Sequence, residues 1–280
     1  MRANRGGVDA GRRVLLTGAL AGLALAASPG WTQDGPRLIE RPAGGYRLLP
    51  GGPVFAGGAV AAEGFEVVHA VLKPWLPLED GYALVEAHLA ALGRPMQAMC
   101  GLELRLPRQL SMDEFRAFNQ PYVERLVRWG LLFDGVNPVC RTNVAPAVEP
   151  PEVPSLHGFS YTVPSQGQAR TFVMSGITEL GPGGPVAAGE TSNDAMREKL
   201  RYVLRAVSGR LAALGVALAD ATQVEVYAVH GAEILADVLM PAIEEPARRG
   251  LRWHYGRPPV SGTEIELEAR SVGREIVLRA

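Results

Sequence analysis

Cysteine is nearly absent from this chain: Cys100 and Cys140 are the two in 280 residues. That excludes a disulfide-dense scaffold and a Cys-rich zinc module. Aromatic residues make up only 6%, and the formal net charge is −1 with both signs interspersed. A nucleic-acid binder carries a basic patch or stripe, and the sequence shows none, so no nucleic-acid partner is expected. There is no Gly-x-Ser-x-Gly elbow and no phosphate-cradling Gly-rich loop ahead of a helix. His69, His88, His157 and His230 show no metal spacing. What is present is a globular composition, 47% hydrophobic and 20% charged.

The most informative pattern is a repeat. Leu-Ala-Ala-Leu-Gly occurs at Leu89–Gly93 and again at Leu211–Gly215. Each copy precedes a short alternating strand, Gly101–Arg105 and Gln223–Tyr227, and the interval from the Gly to the strand's Glu is 10 residues in both. A helix end, a connection and a strand have been laid down twice. Self-similarity at so long a period means duplicated domains rather than a solenoid.

The N-terminus reads separately. Arg2, Arg5, Arg12 and Arg13 precede an apolar run from Val14 to Ala27, interrupted by Thr17, Gly18 and Gly22. Its length suits a signal-peptide core and is short for a membrane span. Arg12-Arg13-Val14-Leu15-Leu16 resembles a twin-arginine export signal, with small residues at Ala24, Ala26 and Ala27 for cleavage. Residues 1–28 are therefore expected to be a signal, 29–45 a tail, and the mature protein periplasmic and without a stable membrane anchor. An uncleaved anchor is the bland alternative. In an oxidising compartment two cysteines can pair, but sheet neighbours seldom meet disulfide geometry, so two buried free thiols are expected.

Domain one is placed at 46–164 and domain two at 165–280. In the first, strands at Pro53–Val60 and Phe65–Leu72 lead to a helix at Leu78–Leu92 and a strand at Met96–Leu106. A helix then opens at Ser111, with Pro121 predicted to kink or split it. Strands at Asn137–Val144 and Leu156–Val163 close the unit. The second repeats the order: strand Arg170–Ile177, helix Thr191–Leu214, strand Thr222–Val229, helix Ala232–Arg249, strands Leu251–Tyr255 and Thr263–Ala269. Ile265, Leu267 and Ala269 alternate with Glu264, Glu266 and Glu268. The apolar set should pack on helices and the acidic set should face a neighbour or a site. The fold class is α+β, each unit a mixed sheet with two helices on one face.

This order, with Val173-Met174-Ser175-Gly176, the Leu-x-x-Leu-Gly helix end, Val224-Glu225-Val226-Tyr227 and Ile265-Glu266-Leu267-Glu268-Ala269, resembles the Rid family. These are enamine/imine deaminases, also described as endoribonuclease L-PSP-like. The resemblance covers both units and implies two tandem chorismate-mutase-like domains. It implies sites in clefts between domains and a homo-oligomer, a trimer of two-domain chains. It also implies hydrolysis of an enamine or imine on a small carboxylate substrate, with no metal or organic cofactor.

Carried over residue by residue, Arg141 falls where the family's carboxylate-binding Arg is expected, and Glu266 matches the water-positioning Glu. Tyr46, Gly57 and Gly58 line the pocket in unit one by the same resemblance. Tyr161, Ser175 and Gly176 do so for unit two, where the Arg is missing and either Arg257, from a shifted position, or Arg252 is the substitute. Each has a plainer reading: an ion pair for Arg141, packing for Tyr46. Two rival functions remain at this stage. One is a chorismatase-like enzyme, since chorismatases also carry two such domains. The other is a non-catalytic small-molecule-binding or assembly protein.

Overall fold

The computed structural model describes residues 31–279, apart from 33, 34, 53, 168, 169, 236, 244 and 250. The export signal expected over 1–28 lies outside the described residues. The chain opens with the short pair β1 (Trp31–Thr32) and β2 (Gly35–Pro36). β3 (Ile39–Arg41), β4 (Tyr46–Pro50), β5 (Ala56–Ala61) and β6 (Phe65–Pro77) follow. Then come α1 (Leu78–Ala91), β7 (Met99–Arg105), α2 (Met112–Arg128), β8 (Cys140–Pro146) and β9 (Ser155–Pro164). The second half runs β10 (Phe172–Met174), β11 (Ile177–Thr178), the pair β12 (Leu180–Gly181) and β13 (Gly184–Pro185), α3 (Asn193–Leu214) and β14 (Gln223–Ala228). It ends with α4 (Leu239–Ile243), α5 (Glu245–Arg249), β15 (Arg252–His254), β16 (Gly256–Arg257), β17 (Ile265–Ser271) and β18 (Arg274–Arg279).

The repeated pentapeptide ends a helix in the same way twice. Gly93 and Gly215 both take left-handed backbone, φ 63° and 74°. In each copy the next N–H returns to the first Leu of the motif: Arg94 to the Leu89 carbonyl at 2.9 Å, Val216 to Leu211 at 3.0 Å. This is the αL stop that glycine makes cheaply.

At the start of α2, Ser111 closes a capping box: its Oγ accepts from the Glu114 N–H at 3.2 Å and Glu114 Oε2 accepts from the Ser111 N–H. The helix runs unbroken through Pro121, against the sequence expectation. Pro121 and Ala117, four residues before it, are both exposed, so the carbonyl that loses its donor faces water. The helix expected at Ala232–Arg249 is instead a 3-10 turn (Ala232–Leu235) followed by α4 and α5. Pro241 and Pro246 remove two backbone donors within six residues, which one helix does not absorb.

Two mixed sheets carry the fold. One has the order β16-β8-β7-β9-β6-β18, the other β15-β14-β17-β10-β5-β4-β3, with β11 also on β17. Helices α1 and α2 cover the first through Tyr82, Val85, Leu89, Tyr122 and Leu126. Helix α3 covers the second through Met196, Leu200, Val203, Val207 and Leu211. The sheets exchange strands across residue 164. β3, β4 and β5, which include part of the expected tail, pair into the second sheet, β5 with β10. The C-terminal β18, which sequence periodicity did not reveal, lies parallel to β6 in the first.

The other faces of the sheets meet. Tyr46, Leu48, Ala59 and Val173 of the second sheet pack with Val67, Cys100 and Cys140 of the first. Both thiols are free and buried, as expected. Along β17, Ile265, Leu267 and Ala269 pack with α3 while Glu266, Glu268 and Arg270 are buried on the opposite face.

Candidate functional site

β8 is paired along its second half by β16, through Gly256 and Arg257 opposite Pro146 and Ala145. Beside its first half, the break between β10 and β11 docks. The Arg141 N–H donates to Ser175 Oγ at 2.8 Å, and the Gly176 N–H donates to the Arg141 carbonyl at 3.1 Å. Ser175 Oγ donates onward to the Ala56 carbonyl, and the Ser175 N–H reaches the Gly57 carbonyl. A Cβ on Gly176 would overlap Glu266 Oε1, which is why this position is glycine. The Arg141 backbone from the first half thus meets Ser175 and Gly176 from the second, with Gly57 alongside and Glu266 packed against Gly176.

Two features give this corner chemical character. Glu266 is buried and its Oε2 has no hydrogen-bond partner. Burial holds its carboxyl well above the usual range, and the charge of Glu268 pushes it further. An isolated carboxylate in such surroundings takes up a proton rather than stay charged. Arg141 is also buried, and its guanidinium donates to neutral groups: Asn119 Oδ1 at 2.6 Å and Asn143 Oδ1 at 3.1 Å. It lies 4.0 Å over the Tyr122 ring, and Nε has no partner. No carboxylate among the described residues pairs with it. Burial lowers its pKa, as expected of an uncompensated cation.

Other sequence-derived candidates lie elsewhere. Tyr46 is packed between the sheets beside Cys100 and Cys140, its hydroxyl on the Met99 carbonyl. Gly58 is the seat of Leu214, whose Cδ1 a Cβ there would strike. Tyr161 faces α1, bonded to His88 Nε2 at 2.9 Å and stacked on Phe159. Arg257 is at the edge pairing with β8, 3.8 Å from Glu264.

The cluster that sequence reasoning passed over lies deeper between the sheets. Arg270 donates to Glu103, Glu225 and Glu268, and its Nη1 also contacts His69 Nε2. His69 bridges Glu103 at 2.7 Å and Glu275 at 3.1 Å. Burial opposes charge on Glu103 and Glu225, but Arg270, with His69 and His254, holds both well below the usual range. Burial raises Glu268 to about 7 despite Arg270. The three carboxylates converge closely enough to hold a metal ion, yet the Arg270 guanidinium already bonds all three. A readable signal existed: Glu103 and Glu225 sit at equivalent positions of the repeat, and Arg270 continues the charged face of β17.

A buried acid and a buried arginine without a carboxylate partner among the described residues thus flank the segment where the two halves of the chain join. The model of the 2-aminomuconate deaminase CnbZ family matches residues 38–276. The chain is 38% identical over 248 residues to the 2-amino-5-chloromuconate deaminase of Comamonas testosteroni, covering 84% of this chain and 96% of that protein. Among solved structures, a chorismatase aligns over 81% of this chain and 77% of its own, at 11% identity and TM-score 0.44. Rv2704 of Mycobacterium tuberculosis, of the YjgF/YER057c/UK114 family, aligns over 36% and 78%, at 18% identity and TM-score 0.28. The chain belongs to the CnbZ family of 2-aminomuconate deaminases.

Proposed function

We propose that this protein is a hydrolytic deaminase of a 2-aminomuconate-type substrate, a linear unsaturated dicarboxylate bearing an enamine. The observation that carries the reading is the docking of the Arg141 backbone on Ser175 and Gly176, with Glu266 packed against Gly176. Arg141, lacking a carboxylate of its own, binds the substrate carboxylate next to the amino carbon. A planar guanidinium fork matches that group in shape and charge. The two asparagine acceptors and the Tyr122 ring orient it.

Glu266 enters protonated and gives its proton to the carbon chain, turning the enamine into an imine. Water then adds to the C=N carbon and returns a proton to Glu266. The C–N bond breaks and ammonia leaves, so substrate and water yield the 2-oxo dicarboxylate and ammonia. A general acid whose proton is retained at neutral pH by burial suits this step. The reading extends to a homo-oligomer, a trimer of two-domain chains with sites in inter-domain clefts, and to export through the twin-arginine-like segment.

The test is ammonia release from 2-aminomuconate by the purified protein. Release well above the spontaneous rate, falling at least about 100-fold in Arg141→Ala, is expected. Release no faster than the spontaneous rate, or an Arg141→Ala variant as fast as wild type, overturns the reading. Pyruvate release from chorismate would favour the chorismatase-like alternative instead.

A further inference from the structure

Arg210 stands on α3, outside the set of residues assigned above. Its Nη1 donates to the Ser175 carbonyl at 3.0 Å. No carboxylate among the described residues pairs with it. The influences on its charge are burial, which pulls its pKa down to about 10, and the Cys140 thiol. Counted over the whole residue it is half-buried. Ser175 is therefore held from two directions, at Oγ by the Arg141 N–H and at its carbonyl by Arg210. Ser175 thus lies between the backbone of one arginine and the side chain of another, neither paired with a carboxylate among the described residues.

Arg105 offers an instructive contrast. It too is buried and has an unpartnered Nη2. But it sits 5.5 Å over Tyr227, in the layer that holds Glu103, Glu225 and Glu268, and its charge offsets that acidic set. Arg210 has no acidic surroundings to offset. A side chain held for its packing alone would more cheaply be uncharged at such a place.

We propose that Arg210 binds the second carboxylate of a linear dicarboxylate whose first carboxylate is held by Arg141. Arg210 is then the residue that selects dicarboxylates over monocarboxylates of equal length. This rests on the deaminase reading and adds to it the residue that holds the second carboxylate. One guanidinium at each end of an extended six-carbon chain fixes both its register and its direction. The bond to the Ser175 carbonyl leaves the rest of the guanidinium fork for the ligand.

The experiment compares equilibrium binding of two unreactive probes, muconate and hexa-2,4-dienoate, which differ by one carboxylate. Wild type, Arg210→Gln, Arg210→Lys and Arg141→Gln are measured, each checked for a wild-type-like thermal midpoint. Steady-state kinetics on 2-aminomuconate run in parallel. Arg210→Gln is expected to weaken muconate at least about tenfold and hexa-2,4-dienoate less than about twofold. KM for 2-aminomuconate rises more than kcat falls, and Arg210→Lys recovers part of the loss. Arg141→Gln weakens both probes.

An equal loss of both probes in Arg210→Gln assigns Arg210 to holding the Ser175 segment and overturns the proposal. So does no loss of either. If the Gln variant does not fold, the Lys variant decides by the same ratio, and a wild type that does not prefer muconate also overturns it. Turnover by wild type with an unmoved ratio removes the role of Arg210 alone. Absence of turnover and of muconate binding removes the deaminase reading with it.

Discussion

β17 carries two acidic residues on one face, Glu266 and Glu268, and they live in opposite regimes. Glu268 belongs to a cluster in which Arg270 is shared with Glu103 and Glu225 and extended by His69 to Glu275. Glu266, two residues earlier, has no cation bonded to it, and burial holds its carboxyl well above the usual range. Both regions are buried and both join the two halves of the chain. The difference is charge compensation. Where a guanidinium satisfies several carboxylates, the cluster ties the sheets together. Where a buried acid has no cation bonded to it, as at Glu266, burial instead favours its neutral form.

The comparison breaks most severely at Arg270. Arg270→Met strands three buried carboxylates and is expected to cost about 3–5 kcal/mol in denaturant unfolding. A loss of under about 1 kcal/mol would mean the cluster is not a tie between the sheets.

Gly176→Ala acts at the other region. The new methyl must displace Glu266, so stability falls by about 1–3 kcal/mol, as for overpacking, and deamination falls with it. Full activity in this variant would show that the position of Glu266 is irrelevant.

Protonation separates the regions more finely. Glu268 titrates at about 7 when folded and at about 4.3 in an unfolded chain. The folded state retains a proton that the unfolded state has released. The stability due to Glu268 is complete below about pH 4.3 and is lost as pH rises to about 7. Glu268→Gln, which stays neutral, should therefore gain on wild type across that window, by at most roughly 1.4 kcal/mol per pH unit. A pH-independent difference would contradict this assignment. Glu103 and Glu225, held low, have the opposite sign: their contribution is present above about pH 4.3 and is lost as pH falls through their folded values.

The smallest effect lies outside both regions. Ser111→Ala removes the capping box of α2 and should cost about 1 kcal/mol, measured as a shift in thermal midpoint, with kcat unchanged. A larger loss of activity than of stability would link α2, through Asn119, to Arg141 more tightly than the contacts indicate.

Much of the scaffold was legible because its signals are local. The helix caps at Ser111 and Ser192, the glycine stops at Gly93 and Gly215, and the alternation of β17 all depend on neighbours in sequence. The resemblance assigned Arg141 to the first unit and Ser175, Gly176 and Glu266 to the second; the docking of the Arg141 backbone on Ser175 and Gly176 is a long-range pairing that periodicity does not supply. The exchange of β3, β4, β5 and β18 between sheets was not legible. An edge strand's own sequence does not say which sheet it joins. Nor was the Arg270 cluster, because three glutamates on different strands give no sign of sharing one cation until the sheets are stacked. Tyr46 and Tyr161 illustrate the converse. Their chemistry suited a pocket, but both ended in packed interiors, where a tyrosine hydroxyl needs only one partner.

The most direct measurement is steady-state deamination of 2-aminomuconate by wild type and Glu266→Gln at equal folded fraction. Because burial favours the neutral form of Glu266, glutamine should leave stability within about 1 kcal/mol while lowering kcat at least about 100-fold. A variant as active as wild type would contradict the account, as would a wild type no faster than the uncatalysed reaction.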